Sequence, residues 1–317
     1  MHLTPENYCL QYTHFNFKNQ THKYTGKVRD VYDIGDQLIV ITTDRISAFD
    51  HILPRPIPFK GQVLNQIAAY FLNELKSIID TWLIETPDPN VSVGWKCDPI
   101  KIEMVVRGYL TGHAWRVYQS GQRILCGEKL EEGMVQNQAF QKPLITPTTK
   151  AAAGHDLDIS LSEIRKSRIV SDLILDQMTD VALKLFDAGT QLAAQRGLIL
   201  VDTKYEFGLR NGKLCLMDEI HTPDSSRYFE NEAYLQLLNE GKPQKQLSKE
   251  FVREWLISNG FQGLEDQLMP EMSDGFVWHT SERYIELFEK ITGQEFKQIQ
   301  TGMSIEERLF QNLKNYF

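Results

Sequence analysis

The stretch Val201-Asp-Thr-Lys-Tyr-Glu-Phe-Gly-Leu-Arg-Asn-Gly-Lys-Leu-Cys-Leu-Met-Asp-Glu219 places Asp202, Lys204, Glu206, Asp218 and Glu219 among apolar residues on both sides of an Asn-Gly pair. Carboxylates are hard oxygen ligands of the kind Mg²⁺ prefers, and an ammonium beside them can meet phosphate oxygens. Asn-Gly between alternating residues signals a hairpin. Whether the acids cooperate depends on the turn, because strand side chains alternate with a period of two. A two-residue Asn211-Gly212 loop sets Glu206 opposite Met217 and sends Glu206 and Asp218 to opposite faces. A three-residue loop beginning at Arg210 sets Lys204 opposite Asp218, and then Asp202, Lys204, Glu206 and Asp218 share one face. The metal chemistry needs that second register. The bland alternative is a solvated outer face with surface ion pairs, each worth ~0–1 kcal/mol.

Other polar segments could join this chemistry. Tyr24-Thr-Gly-Lys-Val-Arg-Asp30 opens a hairpin with Gly26, Lys27 and Arg29, where backbone amides and two cations can cover a polyphosphate. Thr43-Asp-Arg-Ile-Ser-Ala-Phe-Asp50 closes an apolar strand and offers Ser47 and Asp50. Thr146-Pro-Thr-Thr-Lys-Ala-Ala-Ala-Gly-His-Asp156 offers Lys150, His155 and Asp156. Thr222-Pro-Asp-Ser-Ser-Arg227 carries Asp224, Ser225 and Arg227, and its hydroxyls and guanidinium suit a phosphate monoester. Structural readings stand beside each: a plain turn, a capped turn, a mobile surface loop, and a turn with Ser225 or Ser226 capping a helix. Neither a P-loop nor a G-x-G-x-x-G fingerprint occurs.

The elements that position these groups follow from periodicity. Lys27–Asp33 and Gln37–Thr43 flank the turn Ile34-Gly35-Asp36 and predict a hairpin. Val63, Leu64, Ile67, Phe71, Leu72, Leu75 and Ile78 have helical spacing over 61–79. A strand is expected over 100–106, a capped start at Ser160-Leu-Ser-Glu163, a long helix over 172–195, and a strand over 198–203 leading into the charged hairpin. Beyond about 230 the chain reads as amphipathic helices, such as Glu282–Glu289, which can pack on this chain or against a second copy. The pattern is α+β. A β-rich lobe is expected over 1–106, a mixed lobe over 107–230, and a helical region over 231–317 packed on the central lobe.

With 317 residues, 42% hydrophobic and 24% charged, the chain has the make-up of a soluble enzyme with ample core. A formal net charge of −8 argues against a sequence-independent grip on nucleic acid. Cys9, Cys97, Cys126 and Cys215 are widely spaced, which fits reduced thiols in a cytoplasm. The N-terminus lacks the basic start and apolar run of a secretory signal, and no stretch has the length of a membrane span.

Taken in order, Gly26-Lys-Val-Arg-Asp-Val-Tyr32, Thr43–Asp50, Val105-Val-Arg-Gly-Tyr-Leu-Thr-Gly112, Thr146-Pro-Thr-Thr-Lys-Ala151, Val201–Gly208 and Asp218-Glu-Ile-His-Thr-Pro-Asp-Ser-Ser-Arg227 resemble the SAICAR synthetase family. The resemblance covers roughly residues 20 to 230 and continues more loosely through the C-terminal helices. It implies an α+β fold of two lobes with an ATP cleft, similar to protein kinases and ATP-grasp enzymes, with antiparallel sheets and C-terminal helices. It also implies a step of de novo purine biosynthesis. ATP, carboxyaminoimidazole ribonucleotide (CAIR) and L-aspartate become SAICAR, ADP and phosphate with Mg²⁺, in a cytoplasmic enzyme that is a monomer or homodimer.

By that resemblance Gly26, Lys27 and Arg29 belong to a loop over the ATP phosphates, and the segment containing Glu103 and Val105 meets adenine through its backbone. Glu206 and Asp218 match metal-binding acids, and Lys204 matches the lysine beside them. Arg107, Asp224, Ser225 and Arg227 lie in ribonucleotide-handling motifs, and Lys150 in one that meets phosphate or the reacting carboxylate. Ser47, Asp50, His155 and Asp156 fall near the substrate pocket. Many members carry serine after the glycine matching Gly112, where this chain has His113, either a nucleotide contact or a packed histidine. Two other readings compete: an ATP-dependent ligase for a different carboxylate and amine, and a nucleotide-binding module without catalysis.

Overall fold

A computed structural model describes residues 4–150, 157–298 and 302–317. His155 and Asp156 lie outside the described residues. The chain divides into two compact units. One comprises Met1–Tyr70, Leu83–Lys96 and Leu247–Phe317; the other comprises Phe71–Trp82 and Cys97–Gln246.

The first unit is built on a five-stranded antiparallel sheet in the order His22–Thr25, Arg29–Asp33, Gln37–Thr42, Val91–Trp95, Leu83–Asp88. Tyr32 stands opposite Ile39, Ile39 opposite Val93, and Ile41 opposite Val91. These residues therefore share one face, and with Leu10, Phe17, Leu309 and Leu313 they form a buried cluster. The expected hairpin is present, with a strand added before it. His22–Thr25 pairs with Arg29–Asp33, and Gly26-Lys-Val28 becomes the loop between them. The helix expected over 61–79 runs Lys60–Glu74.

The division departs from the expected lobes at the C-terminus, since Leu247–Phe317 groups with the first unit and not with the central segment. The cause is a set of buried pairings far apart in sequence. Arg308 donates from Nε and Nη2 to the Asp88 carboxylate at 2.9 and 3.1 Å, and Nη2 donates to Asn90 Oδ1 at 2.6 Å. The helix Asp274–Thr292 buries Tyr284, Leu287, Phe288 and Ile291 within the chain, as its stripe predicts.

The second unit carries a six-stranded antiparallel sheet. Its path runs Ala139–Ile145, Asp98–Tyr109, Leu198–Arg210, Lys213–Met217, while Thr148–Thr149 adds to Asp98–Tyr109 and Ser226–Glu230 adds to Leu198–Arg210. Both central strands outrun their expected lengths. The helix Asp172–Ala194 starts where Ser171 accepts the Ile174 N–H, and it buries Leu175, Met178, Ala182, Leu185, Phe186 and Gly189 along one face. A short helix, Leu161–Ser167, opens on the expected Ser160–Glu163 capping box.

That long helix takes the apolar side of the sheet. A Cβ on Gly108 would stand 3.2 Å from Phe186, and one on Gly189 would stand 2.1 Å from the His221 ring. His221 is fully buried, shares a hydrogen bond at 2.7 Å between Nε2 and the Tyr205 hydroxyl, and accepts the Tyr228 hydroxyl at its carbonyl. One sheet face is thereby sealed, and the other is left for polar side chains.

Two outcomes follow. Gly189→Ala should lower the unfolding free energy by about 1–3 kcal/mol, read by urea denaturation, because the added methyl meets a ring that is already packed. Burial also holds the His221 imidazole down at about 3, against an ordinary value of 6.5. The unfolded chain thus binds a proton that the fold refuses, and stability is lost as pH falls from 6.5 toward 3. This residue should contribute a slope of about 1.4 kcal/mol per pH unit across pH 4–6, which His221→Gln should remove.

Candidate active site

Alternation along Leu198–Arg210 puts Asp202, Lys204 and Glu206 on one face, and antiparallel pairing sets Arg107, Val105 and Glu103 directly opposite them. Lys204 Nζ donates to Glu103 Oε1 at 2.8 Å and to Glu206 Oε1 at 2.6 Å. Lys150 donates to the second oxygen of Glu206, and Thr148 Oγ1 donates to Glu103 Oε2 at 3.3 Å. The Glu103 and Glu206 side chains are only 10% and 11% exposed, which rules out the solvated-face reading. Burial alone would raise the Glu206 carboxyl, but Lys204 and Lys150 outweigh it and hold it at about 2. Burial likewise opposes the Lys204 charge, yet Glu206, Glu103 and Asp218 together keep its pKa above the ordinary range.

The hairpin closes on the two-residue turn. Arg210 pairs with Lys213 and Glu206 with Met217, and Asn211 and Gly212 both take left-handed φ, 52° and 74°. The three-residue register, in which all four charged residues share a strand face, is therefore not formed. Asn-Gly selects the tighter turn because both residues tolerate positive φ. Asp218 nonetheless acts on Lys204. The strand ends at Met217, and Asp218 adopts φ 57°, so strict alternation no longer governs its side chain. Trp82 Nε1 pins the Asp218 carbonyl at 3.0 Å.

Farther along the same face two guanidiniums share one carboxylate. Arg107 Nη1 meets Asp202 Oδ2 at 3.2 Å and Arg227 Nη1 meets it at 2.7 Å, while Arg107 Nε donates to Thr146 Oγ1 at 2.8 Å. Two cations against one acid leave a local positive excess suited to a phosphate group. Gly112, at φ 54°, lets Arg227 lie close, since a Cβ there would stand 2.6 Å from Nη2. His113, the second residue of the helix Gly112–Gln119, pairs through Nε2 with Asp158 at 2.7 Å; it is a partly exposed residue, not a packed one. Ser225 stands 3.2 Å from Thr222 Oγ1, and Asp224 N–H donates to that same oxygen at 3.3 Å. Ser226–Glu230 is a strand, and the next helix begins at Asn231 after Glu230, so neither serine caps a helix.

In the first unit, Gly26 and Lys27 sit at the loop between the first two strands, with Arg29 opening the second. Arg45, whose role has no local signal in the sequence, is buried and holds that loop. It donates to the carbonyls of Gly26 at 3.0 Å and Lys27 at 3.2 Å and to Asp30 Oδ1 at 2.8 Å. Ser47 lies in the small hairpin Ser47–Ala48 with His51–Ile52; Asp50 lies in its turn and receives the Lys27 ammonium.

Glu103 and Val105, expected to meet adenine through their backbone, lie side by side with the lysine cluster on Asp98–Tyr109. The Val105 carbonyl accepts the Thr146 N–H at 2.8 Å, and Glu103 contributes its side chain to the lysine cluster. For Glu103 the resemblance pointed to the backbone and not to the side chain, and His221 carries no local signal, because the partners Lys204, Tyr205 and Tyr228 lie elsewhere in the chain. Among the described residues no group of three or more His, Cys, Asp or Glu is assembled to hold a metal ion. The donors around Lys204 are nevertheless all carboxylate oxygens, and two of the acids are buried, which is the donor chemistry of a hard divalent cation.

A SAICAR synthetase family profile matches residues 22–268 of this chain. A phosphoribosylaminoimidazole-succinocarboxamide synthase from Bacteroides thetaiotaomicron is 55% identical over 310 residues, covering 97% of this chain and 98% of that protein. A solved SAICAR-synthase from Saccharomyces cerevisiae, complexed with SAICAR, is 30% identical with a TM-score of 0.74, covering 87% and 95% of the two chains. A solved SAICAR synthetase in complex with ADP shares the fold at 24% identity and a TM-score of 0.67, covering 87% and 100%.

The charge cluster makes unequal demands on its two lysines. Lys204→Met should destabilise the fold by about 3 kcal/mol, because two buried carboxylates lose their common cation. Lys150→Met, at a half-exposed residue, should cost under about 1 kcal/mol. Denaturant titration of both variants checks the ranking.

Proposed function

The chain belongs to the SAICAR synthetase family, and on that premise we infer that it joins L-aspartate to the carboxylate of CAIR with consumption of ATP, a step of purine biosynthesis. The observation that carries this reading is the partly buried ammonium of Lys204 held among Glu103, Glu206 and Asp218.

A carboxylate resists attack by an amine because oxide is a poor leaving group. Transfer of the ATP γ-phosphoryl group to the CAIR carboxylate gives an acyl phosphate, and the aspartate amine then displaces phosphate. Such transfer depends on positioning and on spreading charge over the moving phosphoryl oxygens. Glu206 and Asp218 would hold Mg²⁺, which supplies charge neutralisation at the phosphates when bound. Lys204 fixes the orientation of Glu206, and Lys150 can turn from Glu206 to a phosphate oxygen or the reacting carboxylate. Gly26, Lys27 and Arg29 serve the nucleotide phosphates. Arg107 and Arg227, with Ser225, take the phosphate of the ribonucleotide, and His113, in the first turn of the helix Gly112–Gln119, adds a polar contact. Ser47 and Asp50 belong to the substrate pocket. The enzyme works in the cytoplasm, as a monomer or homodimer, on free small molecules. Among the described residues no helix is long and apolar enough to cross a membrane.

ADP release measured with each substrate omitted should require both CAIR and aspartate. Release with a different carboxylate or amine would favour the related-ligase reading. Glu206→Gln should lower turnover by about 10²–10³-fold while changing nucleotide affinity far less. Near-normal Mg²⁺-dependent turnover in that variant would remove Glu206 from the metal site.

A further inference from the structure

The turn that presents Asp50 has an unusual composition. Ser47 pairs with Ile52 and Ala48 with His51, so Phe49 and Asp50 form a two-residue hairpin loop. Both have positive φ, 50° and 64°. That is the backbone for which Asn-Gly is the usual sequence, and Phe with its Cβ is poorly suited to it. A conformation of this kind persists only where the surroundings over-determine it.

The surroundings come from a distant stretch of chain. The Phe261 ring meets the Phe49 ring at 6.4 Å between centroids and the His51 ring at 5.5 Å, both edge-on. Gly263 lies so close that a Cβ on it would stand 2.8 Å from Phe49 Cβ and 3.0 Å from the Phe49 carbonyl oxygen. Gly263 itself has φ 77°, so this position needs glycine on two counts. Gln267 Oε1 fixes the segment by accepting the N–H groups of Gln262 at 2.6 Å and Leu264 at 3.2 Å. Asp50, at the tip of the held turn, receives the Lys27 ammonium.

We propose that Phe261 and Gly263 are positioning residues that clamp the left-handed Phe49-Asp50 turn and thereby keep the Asp50 carboxylate on Lys27. The clamp pre-orders the Lys27 ammonium, which exchanges Asp50 for a phosphate oxygen when nucleotide arrives; this step rests on the reading of Lys27 as a nucleotide contact. Neither clamp residue touches a substrate. Their effect on nucleotide binding passes through Lys27.

Steady-state kinetics on the full-length enzyme test this. Gly263→Ala should raise the KM for ATP about tenfold, equivalent to about 1.4 kcal/mol, with kcat changed less than about threefold. Phe261→Leu, which leaves the backbone untouched, should shift KM the same way by about threefold and serves if Gly263→Ala does not fold. In a Lys27→Met background the Gly263→Ala effect should shrink to under about twofold. A lowered Tm with unchanged KM in the Gly263 and Phe261 variants would overturn the clamp while leaving the role of Lys27 intact. So would a full effect persisting without Lys27. An unchanged KM for ATP in Lys27→Met alone would instead remove the nucleotide role of Lys27, and the proposal with it.

Discussion

Two carboxylates taken largely out of water must share a cation, and the second unit is arranged around that demand. Lys204 stands between Glu103 and Glu206 with Asp218 adding its field. Each of these charges would be costly alone, and each is tolerable because the others are present. The register between Asp98–Tyr109 and Leu198–Arg210 therefore matters beyond sheet stability. A one-residue slip would exchange the Glu103–Lys204–Glu206 face for the apolar face of Met104 and Tyr205, exposing one and burying the other. Packing of the helix Asp172–Ala194 on that second face, through Phe186 and Gly189, makes such a slip prohibitive.

The chemistry that follows is divided by charge. Around Lys204 acids outnumber cations, which suits a divalent metal and polyphosphate. Around Asp202 the guanidiniums of Arg107 and Arg227 outnumber the acid, which suits a phosphate monoester. One strand supplies Asp202 to the second cluster and Lys204 and Glu206 to the first, so two anionic substrates can be held at a spacing fixed by the pleat. The acidic hairpin can carry its charge because Asp202 and Glu206 are paired with cations on a largely buried face.

Residue chemistry was far more legible than geometry. Lys204, Glu206 and Asp218 stood out because charge inside apolar strands is costly and invites explanation. The turn did not resolve in the same way. Asn-Gly favours the two-residue loop, and the case for a longer one assumed that Asp218 still obeys strand alternation. Its left-handed backbone breaks that assumption one residue past the strand end. The Glu103 side chain was hidden because its partner Lys204 lies 101 residues away. The helix Asp172–Ala194 was readable from its periodicity and its stop near Gly197, both local signals. The grouping of the last helices was not, because it rests on Arg308 reaching Asp88 across 220 residues.

A crystal structure with Mg²⁺ and a non-hydrolysable ATP analogue tests the central claim most directly. The account predicts the metal bound by Glu206 and Asp218, Lys204 still bridging Glu103 and Glu206, and Lys150 turned from Glu206 toward phosphate oxygen. A metal seated on other residues, with Glu206 still engaged by both lysines, would contradict it.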